Sequence, residues 1–158
     1  HIPERPDGFT RLIVVVKELK ISELITELKK KMNFWIYTDL KNLDKVKDIV
    51  QRPEGDYAIW VRDRQEADEE LKNKSADDIQ NEGLNTETLK ERILHELAYN
   101  EETSLHLDEK NWTICAGSRH PDGGVLSVYW NPDYGWVCVF WYDSGDRYSY
   151  ARARQAVS

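Results

Sequence analysis

The chain has 158 residues, 40% of them hydrophobic, with six Trp, eight Tyr and three Phe, which is the composition of a globular domain and not of a disordered chain. Its net charge is −7, and residues 54–109 hold 17 acidic side chains against 6 basic ones, which argues against a concentrated basic face for nucleic acid. No apolar run approaches the roughly 20 residues of a membrane-spanning helix, so we expect no membrane partner.

The first 63 residues alternate short strands with short helices. Runs of β-branched and aromatic residues predict strands at 11–17, 34–38 and 57–63. Helices with apolar stripes separate these strands, and Ser22 is a suitable N-cap for the first of them. This part of the chain therefore reads as a β/α half.

Residues 64–104 form a helical middle. Two short segments meet near Ser75, and the strongest helix of the chain runs from Thr86 to Asn100, with Leu89 and Ile93 in its apolar stripe. We interpret the acidic 54–109 region as a solvated helical surface. The face of the long helix opposite the stripe carries Glu91, His95, Tyr99 and Glu102.

The last 47 residues contain 10 of the 17 aromatic side chains and predict four strands. The runs WTICAGS, VLSVYW, WVCVFWY and RYSYAR are separated by turns too short to join anything except antiparallel neighbours. We therefore predict one α+β domain over 1–158, with a four-stranded antiparallel meander at 112–153 backed by the long helix. The β/α half either extends that sheet or forms a small second layer.

Several stretches beyond Tyr57 match a recurrent pattern: DYAIWVRDRQEADEELKNKSA, EETSLHLDEKNWTICAGSR, DGGV and RARQAV. In these stretches, which span roughly two-thirds of the chain, the protein resembles a group of short, uncharacterised bacterial proteins. It departs from the group at Ser104, where a glycine is common, so the bend after the long helix is expected to differ. The resemblance implies a bacterial, cytoplasmic origin and no particular chemistry.

Two polar clusters, HLD and SRH, are candidates for a catalytic site. An imidazole and a carboxylate two residues apart can orient a general base or share a metal. A hydrolytic or transferase enzyme would use His106, Asp108, Arg119 and His120. The alternative is that these side chains are solvated beside loops and turns.

We expect neither a metal nor a cofactor. His95 and Glu96 are similar to the start of a zincin helix, but Tyr99 stands where the second His would be needed. Cys115 and Cys138 are too few for a zinc site or a disulfide framework. Their apolar strand context predicts buried free thiols, with a disulfide as the alternative if the two strands are neighbours.

Arginine beside tyrosine in the last strand predicts a binding surface. In RYSYARAR, strict alternation would place Tyr148, Tyr150, Arg152 and Arg154 on one outward face and small residues on the other. The alternative is an edge strand protected by charge. We expect a protein partner, or a weak, salt-sensitive self-association with the acidic region of a second copy.

These observations favour a small binding or regulatory module that acts on a protein partner, because no catalytic set is complete while Trp, Tyr and Arg are concentrated in one sheet. The enzyme is the alternative, and the sequence leaves open whether any catalytic activity exists. The lack of a signal peptide favours the cytoplasm, and His1 in place of Met indicates a trimmed or tagged start.

Overall fold

A computed structural model describes residues 1–158 and contains nine β-strands and three α-helices, which confirms the predicted α+β class. The strands are β1 (Arg11–Val15), β2 (Asn33–Ile36), β3 (Lys47–Asp48), β4 (Tyr57–Val61), β5 (Trp112–Ile114), β6 (Ser118–Arg119), β7 (Val125–Asn131), β8 (Trp136–Tyr142) and β9 (Ala151–Arg152). The helices are α1 (Ile21–Leu28), α2 (Ala76–Asn81) and α3 (Leu89–Thr103), with 3₁₀ turns at Leu40–Lys45 and Glu69–Leu71. None of the helices has the length and apolar character needed to cross a membrane.

A five-stranded sheet in the order β2-β8-β7-β5-β9 forms the centre of the fold. Strands β5, β7 and β8 are antiparallel neighbours in chain order, as predicted. The last strand, β9, lies on the far side of β5 and runs parallel to it, with Ala151 opposite Trp112. The predicted four-stranded meander therefore has only three of its strands in that arrangement. The edge of β8 that β9 would need is occupied by β2, which runs parallel to β8.

The N-terminal half contributes both to this sheet and to a second layer. Strand β2 extends the central sheet, whereas β1 and β4 pair in a separate two-stranded antiparallel sheet with Ile13 opposite Ile59. The buried side chains of this small sheet pack against Leu94 and Ala98 of α3. The two alternatives that the sequence left open are thus both present.

Helices α1 and α3 cover one face of the central sheet, which we call the covered face. The core between them contains Leu24, Ile25, Leu28, Leu89, Ile93, Leu126, Val128, Val137 and Val139. Helix α3 begins at Leu89, slightly later than predicted, because Thr88 and Glu91 form a reciprocal capping box. The Thr88 hydroxyl accepts the Glu91 N–H, and the Glu91 carboxylate accepts the Thr88 N–H.

The other side of α3 is also buried, so the expectation of a solvated face is wrong for Glu91, His95 and Tyr99. The sheet of β1 and β4 closes over this side: the Tyr57 hydroxyl donates to Glu91 at 2.7 Å. Only Glu102 remains exposed. The apolar stripe of a helix predicts only the face that packs through apolar side chains. It does not indicate whether a second layer packs against the polar side chains of the opposite face.

At Gly117 the segment after β5 lies close to the backbone just before α3. The Gly117 N–H donates to the Glu87 carbonyl at 3.1 Å, and a Cβ at this position would lie 2.7 Å from the Thr86 carbonyl oxygen. We expect Gly117→Ala to lower the free energy of unfolding by roughly 1–3 kcal/mol, because backbone atoms would have to move. Urea denaturation measures this loss.

Gly145→Ala is the matched control, since its added Cβ would meet only the Asp77 carboxylate at an ordinary 3.6 Å. A similar loss of stability in the two variants would contradict the close approach at Gly117.

Candidate functional site

Asp108 lies at the centre of a buried polar network. It follows α3 in a left-handed conformation with φ 60°. Its carboxylate accepts hydrogen bonds from the Ala67 N–H at 2.8 Å and from the Thr113 hydroxyl. Two guanidinium groups complete its surroundings, with Arg154 Nη2 at 2.8 Å and Arg92 Nη2 at 3.1 Å. The network therefore joins α3, β5, the segment after β4 and the C-terminal segment.

Glu87 and His95 form a second buried pair beside this network. His95 Nδ1 lies 2.7 Å from Glu87 Oε1, and neither side chain is exposed. Burial raises the pKa of Glu87 to about 7, and burial together with nearby Arg154 lowers the pKa of His95. Neither Glu87 Oε2 nor His95 Nε2 has a hydrogen-bond partner in the protein.

His106 closes the surface end of the network. Its Nδ1 lies 2.7 Å from Glu96, and its ring stacks on Trp130 with centroids 3.5 Å apart. The second oxygen of Glu96 accepts a hydrogen bond from Arg92 at 2.9 Å. Burial opposes ionisation of Glu96, but Arg92 and the bond from His106 outweigh it and lower the pKa of this carboxyl. His106 is thus engaged with a charged group of the interior.

The four candidates for catalysis do not converge. His106 and Asp108 are linked through Glu96 and Arg92, whereas Arg119 and His120 lie on and beside β6. Arg119 donates mainly to main-chain carbonyl groups, and His120 pairs with Asp122. No hydrogen bond or ion pair connects either of them to His106 or Asp108. The structure therefore brings together two of the four side chains, and those two are tied into the buried network.

Cys115 and Cys138 are free and buried, as predicted. Cys115 packs in the core on the covered face, whereas Cys138 alternates with Val137 and Val139 and so points to the opposite face. A disulfide would have to pass through the sheet, which excludes the pairing. Burial raises the pKa of both thiols, and this makes them poor nucleophiles.

The face of the central sheet opposite α1 and α3 is aromatic, and we call it the open face. It carries Trp35, Trp112, Tyr129, Tyr134, Trp136, Phe140, Tyr148 and Tyr150. Helix α2 covers only one end of it, where Ile79 and Tyr142 belong to the same apolar cluster. The remainder has no helix or strand packed over it, and Trp35 and Tyr134 are 44% and 69% exposed.

Five rings of the open face form a continuous array, namely those of Trp112, Tyr129, Phe140, Tyr148 and Tyr150, while Tyr134 stacks separately on Trp136. Trp112 stacks on Tyr129 with centroids 4.9 Å apart and meets Phe140 and Tyr150 edge-on, each at 4.5 Å. Such offset and edge-to-face contacts are the favoured geometries of aromatic pairs. The array therefore orders the rings before any other molecule binds.

The predicted row of two tyrosines and two arginines is divided between the two sides of the sheet. Tyr148 and Tyr150 stack on the open face with centroids 5.3 Å apart. The Ala151 N–H then bonds to the Tyr148 carbonyl at 3.2 Å, and this turn breaks the strand alternation. Arg152 and Arg154 emerge on the other side, and Arg154 is buried. Its predicted outward position is therefore wrong.

Part of the open face could be predicted from the sequence. The run WVCVFWY has no polar side, which is typical of a strand covered twice or of one that offers aromatic side chains to a partner. Trp35 had no comparable signal, because its place beside Cys138 depends on β2 joining β8 across about a hundred residues of chain.

Comparison with models of known protein families, with curated proteins and with solved structures gives no match. The resemblance to the group of short bacterial proteins therefore stays a prediction. We therefore infer function from the geometry of the open face.

Asp108→Asn tests the buried network. We expect this change to lower the free energy of unfolding by roughly 3–5 kcal/mol, because Arg92 and Arg154 would lose the charge that compensates them away from water. Urea denaturation measures the loss. Asp133→Asn is the control, since Asp133 is exposed and its side chain makes no ion pair, and we expect a change of about 0.5 kcal/mol or less. A small loss in Asp108→Asn would contradict its central position.

Glu87→Gln tests the buried acid. The carboxyl of Glu87 binds its proton more tightly in the folded chain, with a pKa of about 7, than at its ordinary value of 4.5. It therefore favours folding below pH 4.5, and this contribution is lost as the pH rises to about 7. The quantity to follow is the difference between the unfolding free energies of the wild type and of Glu87→Gln. We expect this difference to fall by roughly 2–3 kcal/mol between pH 4.5 and about pH 7.

Urea midpoints at several pH values give this difference, and His95 is present in both proteins. Glu54→Gln removes an exposed carboxylate and should leave the pH dependence unchanged. A difference that stays constant or rises with pH would show that Glu87 is ionised in the folded protein.

Proposed function

We propose that the protein is a binding module that acts on a basic protein partner through its open face. The observation that carries the proposal is the contrast between the two sides of one sheet. The covered face is packed by α1 and α3, whereas the aromatic side chains of the open face are left partly exposed over most of its area. Contiguous exposed apolar surface of this kind on a globular domain is typical of interaction sites.

The residue types suit a protein interface. Tyr and Trp contribute large contact areas with few rotatable bonds, and they dominate the binding energy of many interfaces. Here Trp112 and its neighbours are already ordered by ring contacts, so less conformational entropy is lost when a partner binds. The exposed Tyr134 and Tyr150 also offer hydroxyl groups for hydrogen bonds.

The charge around the open face favours a basic partner. The chain carries a net charge of −7. Asp133 and Asp143 flank β8, are exposed and make no ion pair with the protein. Arg147, the nearest exposed arginine in sequence, is paired with Asp78 at 2.6 Å. Charge complementarity accelerates association with a basic partner and disfavours acidic ones.

A second copy of the chain fits less well. The self-association considered from the sequence needs Arg152 and Arg154 to reach an acidic surface, but Arg154 is buried on Asp108. Two copies of net charge −7 also repel one another. These features support a hetero-partner.

The enzyme alternative has less support from the geometry. Its four side chains, His106, Asp108, Arg119 and His120, occupy two separate places, and Asp108 has no solvent exposure. As for location, two free thiols favour a reducing compartment, and we propose the cytoplasm.

Site-specific photo-crosslinking tests the proposal. We expect Tyr134→p-benzoylphenylalanine and Tyr150→p-benzoylphenylalanine to crosslink to the same basic protein in cells of the native host. Val14→p-benzoylphenylalanine is the control, because Val14 is exposed on the separate sheet of β1 and β4. Crosslinking through Val14 alone, an acidic captured protein, or no crosslink from either tyrosine position would reject the open face as the binding site.

A further inference from the structure

A pocket of about 400 Å³ opens at the edge of the open face. It lies where the ends of β2 and β8 meet the turn before β7. Four aromatic side chains and two polar ones line it: Trp35, Tyr37, Phe140, Trp141, His120 and Asp122. Among these, Asp122 is the only acidic group, and no lysine or arginine is present.

The carboxylate of Asp122 is fixed in one orientation. Its Oδ1 accepts hydrogen bonds from the Gly124 N–H at 2.9 Å and from the Trp141 indole N–H at 3.0 Å, and it lies 2.9 Å from His120 Nδ1. The bond from Gly124, followed by that from Trp141, lowers the pKa of Asp122, so the group is charged at neutral pH. Its Oδ2 accepts no hydrogen bond from the protein, which leaves one charged oxygen free.

The Tyr37 side chain lines the same pocket, and its hydroxyl is buried away from solvent. It has no hydrogen-bond partner in the protein. Burial, followed by the charge of Asp122, raises the pKa of Tyr37 to about 12, so the hydroxyl stays protonated and neutral. The pocket therefore offers the charged carboxylate of Asp122 together with aromatic faces.

We infer that this pocket receives a lysine or arginine side chain of the basic protein partner, an inference that rests on the proposed function. Ring faces attract an organic cation through their quadrupoles, and a carboxylate binds it with a charge-assisted hydrogen bond. An anion would meet Asp122 with no cation to compensate it. A neutral apolar group would cover the free oxygen of Asp122 and leave it without a partner.

Titration of the isotope-labelled protein with Nα-acetyl-lysine amide and Nα-acetyl-arginine amide tests the inference. The readouts are the NMR signals of the Trp141 indole N–H and the Gly124 amide, both of which bond to Asp122. Nα-acetyl-norleucine amide is the neutral isostere of the lysine probe. We expect the two cationic probes to shift these signals at lower concentration than norleucine amide does.

Two variants locate the binding energy. Asp122→Asn keeps the Oδ1 acceptor for Gly124 and Trp141 but removes the charge, and we expect binding of the lysine probe to weaken by roughly twofold to fivefold. Trp35→Ala removes an exposed wall of the pocket, and we expect a loss of roughly twofold to fivefold. Glu54→Gln removes an exposed charge elsewhere and should bind as the wild type does. The two-dimensional spectrum of each variant reports whether the fold is retained.

Equal shifts with norleucine amide, unchanged binding in Asp122→Asn, or no shift with any probe would overturn the inference. These outcomes leave the open face to be judged separately, since the crosslinking positions Tyr134 and Tyr150 do not line the pocket. A partner that crosslinks at these positions, while the pocket fails to bind cations, would keep the proposed function and reject only the pocket.

Discussion

Asp108 joins four parts of the chain, because its carboxylate binds Arg92 of α3, Arg154 of the C-terminal segment, the Thr113 hydroxyl of β5 and the Ala67 N–H after β4. None of these charged groups is in contact with bulk water. A buried ion is stable only when its partners are in place, so these four segments have to assemble together. When one partner is lost, the remaining charges stay buried without a counter-charge, and their desolvation then destabilises the fold.

The network also determines which surface is left for a partner. It draws the polar side of α3 inward, so that the helix is enclosed between the central sheet and the small sheet of β1 and β4. It also turns Arg154 away from solvent and leaves Tyr148 and Tyr150 on the opposite side of the sheet. The open face is therefore aromatic with exposed carboxylates at the ends of β8, which is why a basic partner suits it.

Much of the fold could be predicted from local patterns. The segments before β7 and between β7 and β8 contain residues that accept tight bends. The strands that they join alternate or are wholly apolar. The antiparallel arrangement of β5, β7 and β8 could therefore be predicted from the sequence. The long helix and the buried free cysteines were also predicted. The face of the sheet on which each side chain around β9 lies could not be predicted, because a turn at Tyr148 interrupts an alternation that looks continuous in the sequence.

The sequence by itself determined the α+β class, the antiparallel core of the sheet and the concentration of aromatic residues in it, because hydrophobic periodicity and turn chemistry act between residues close along the chain. Only the tertiary structure decided that Glu91 and His95 are interior, that Trp35 stands beside Cys138, and that most of the open face has no cover. The physical reason is that a charged side chain is equally compatible with water and with a buried counter-charge. Which of the two it meets depends on segments distant in the chain.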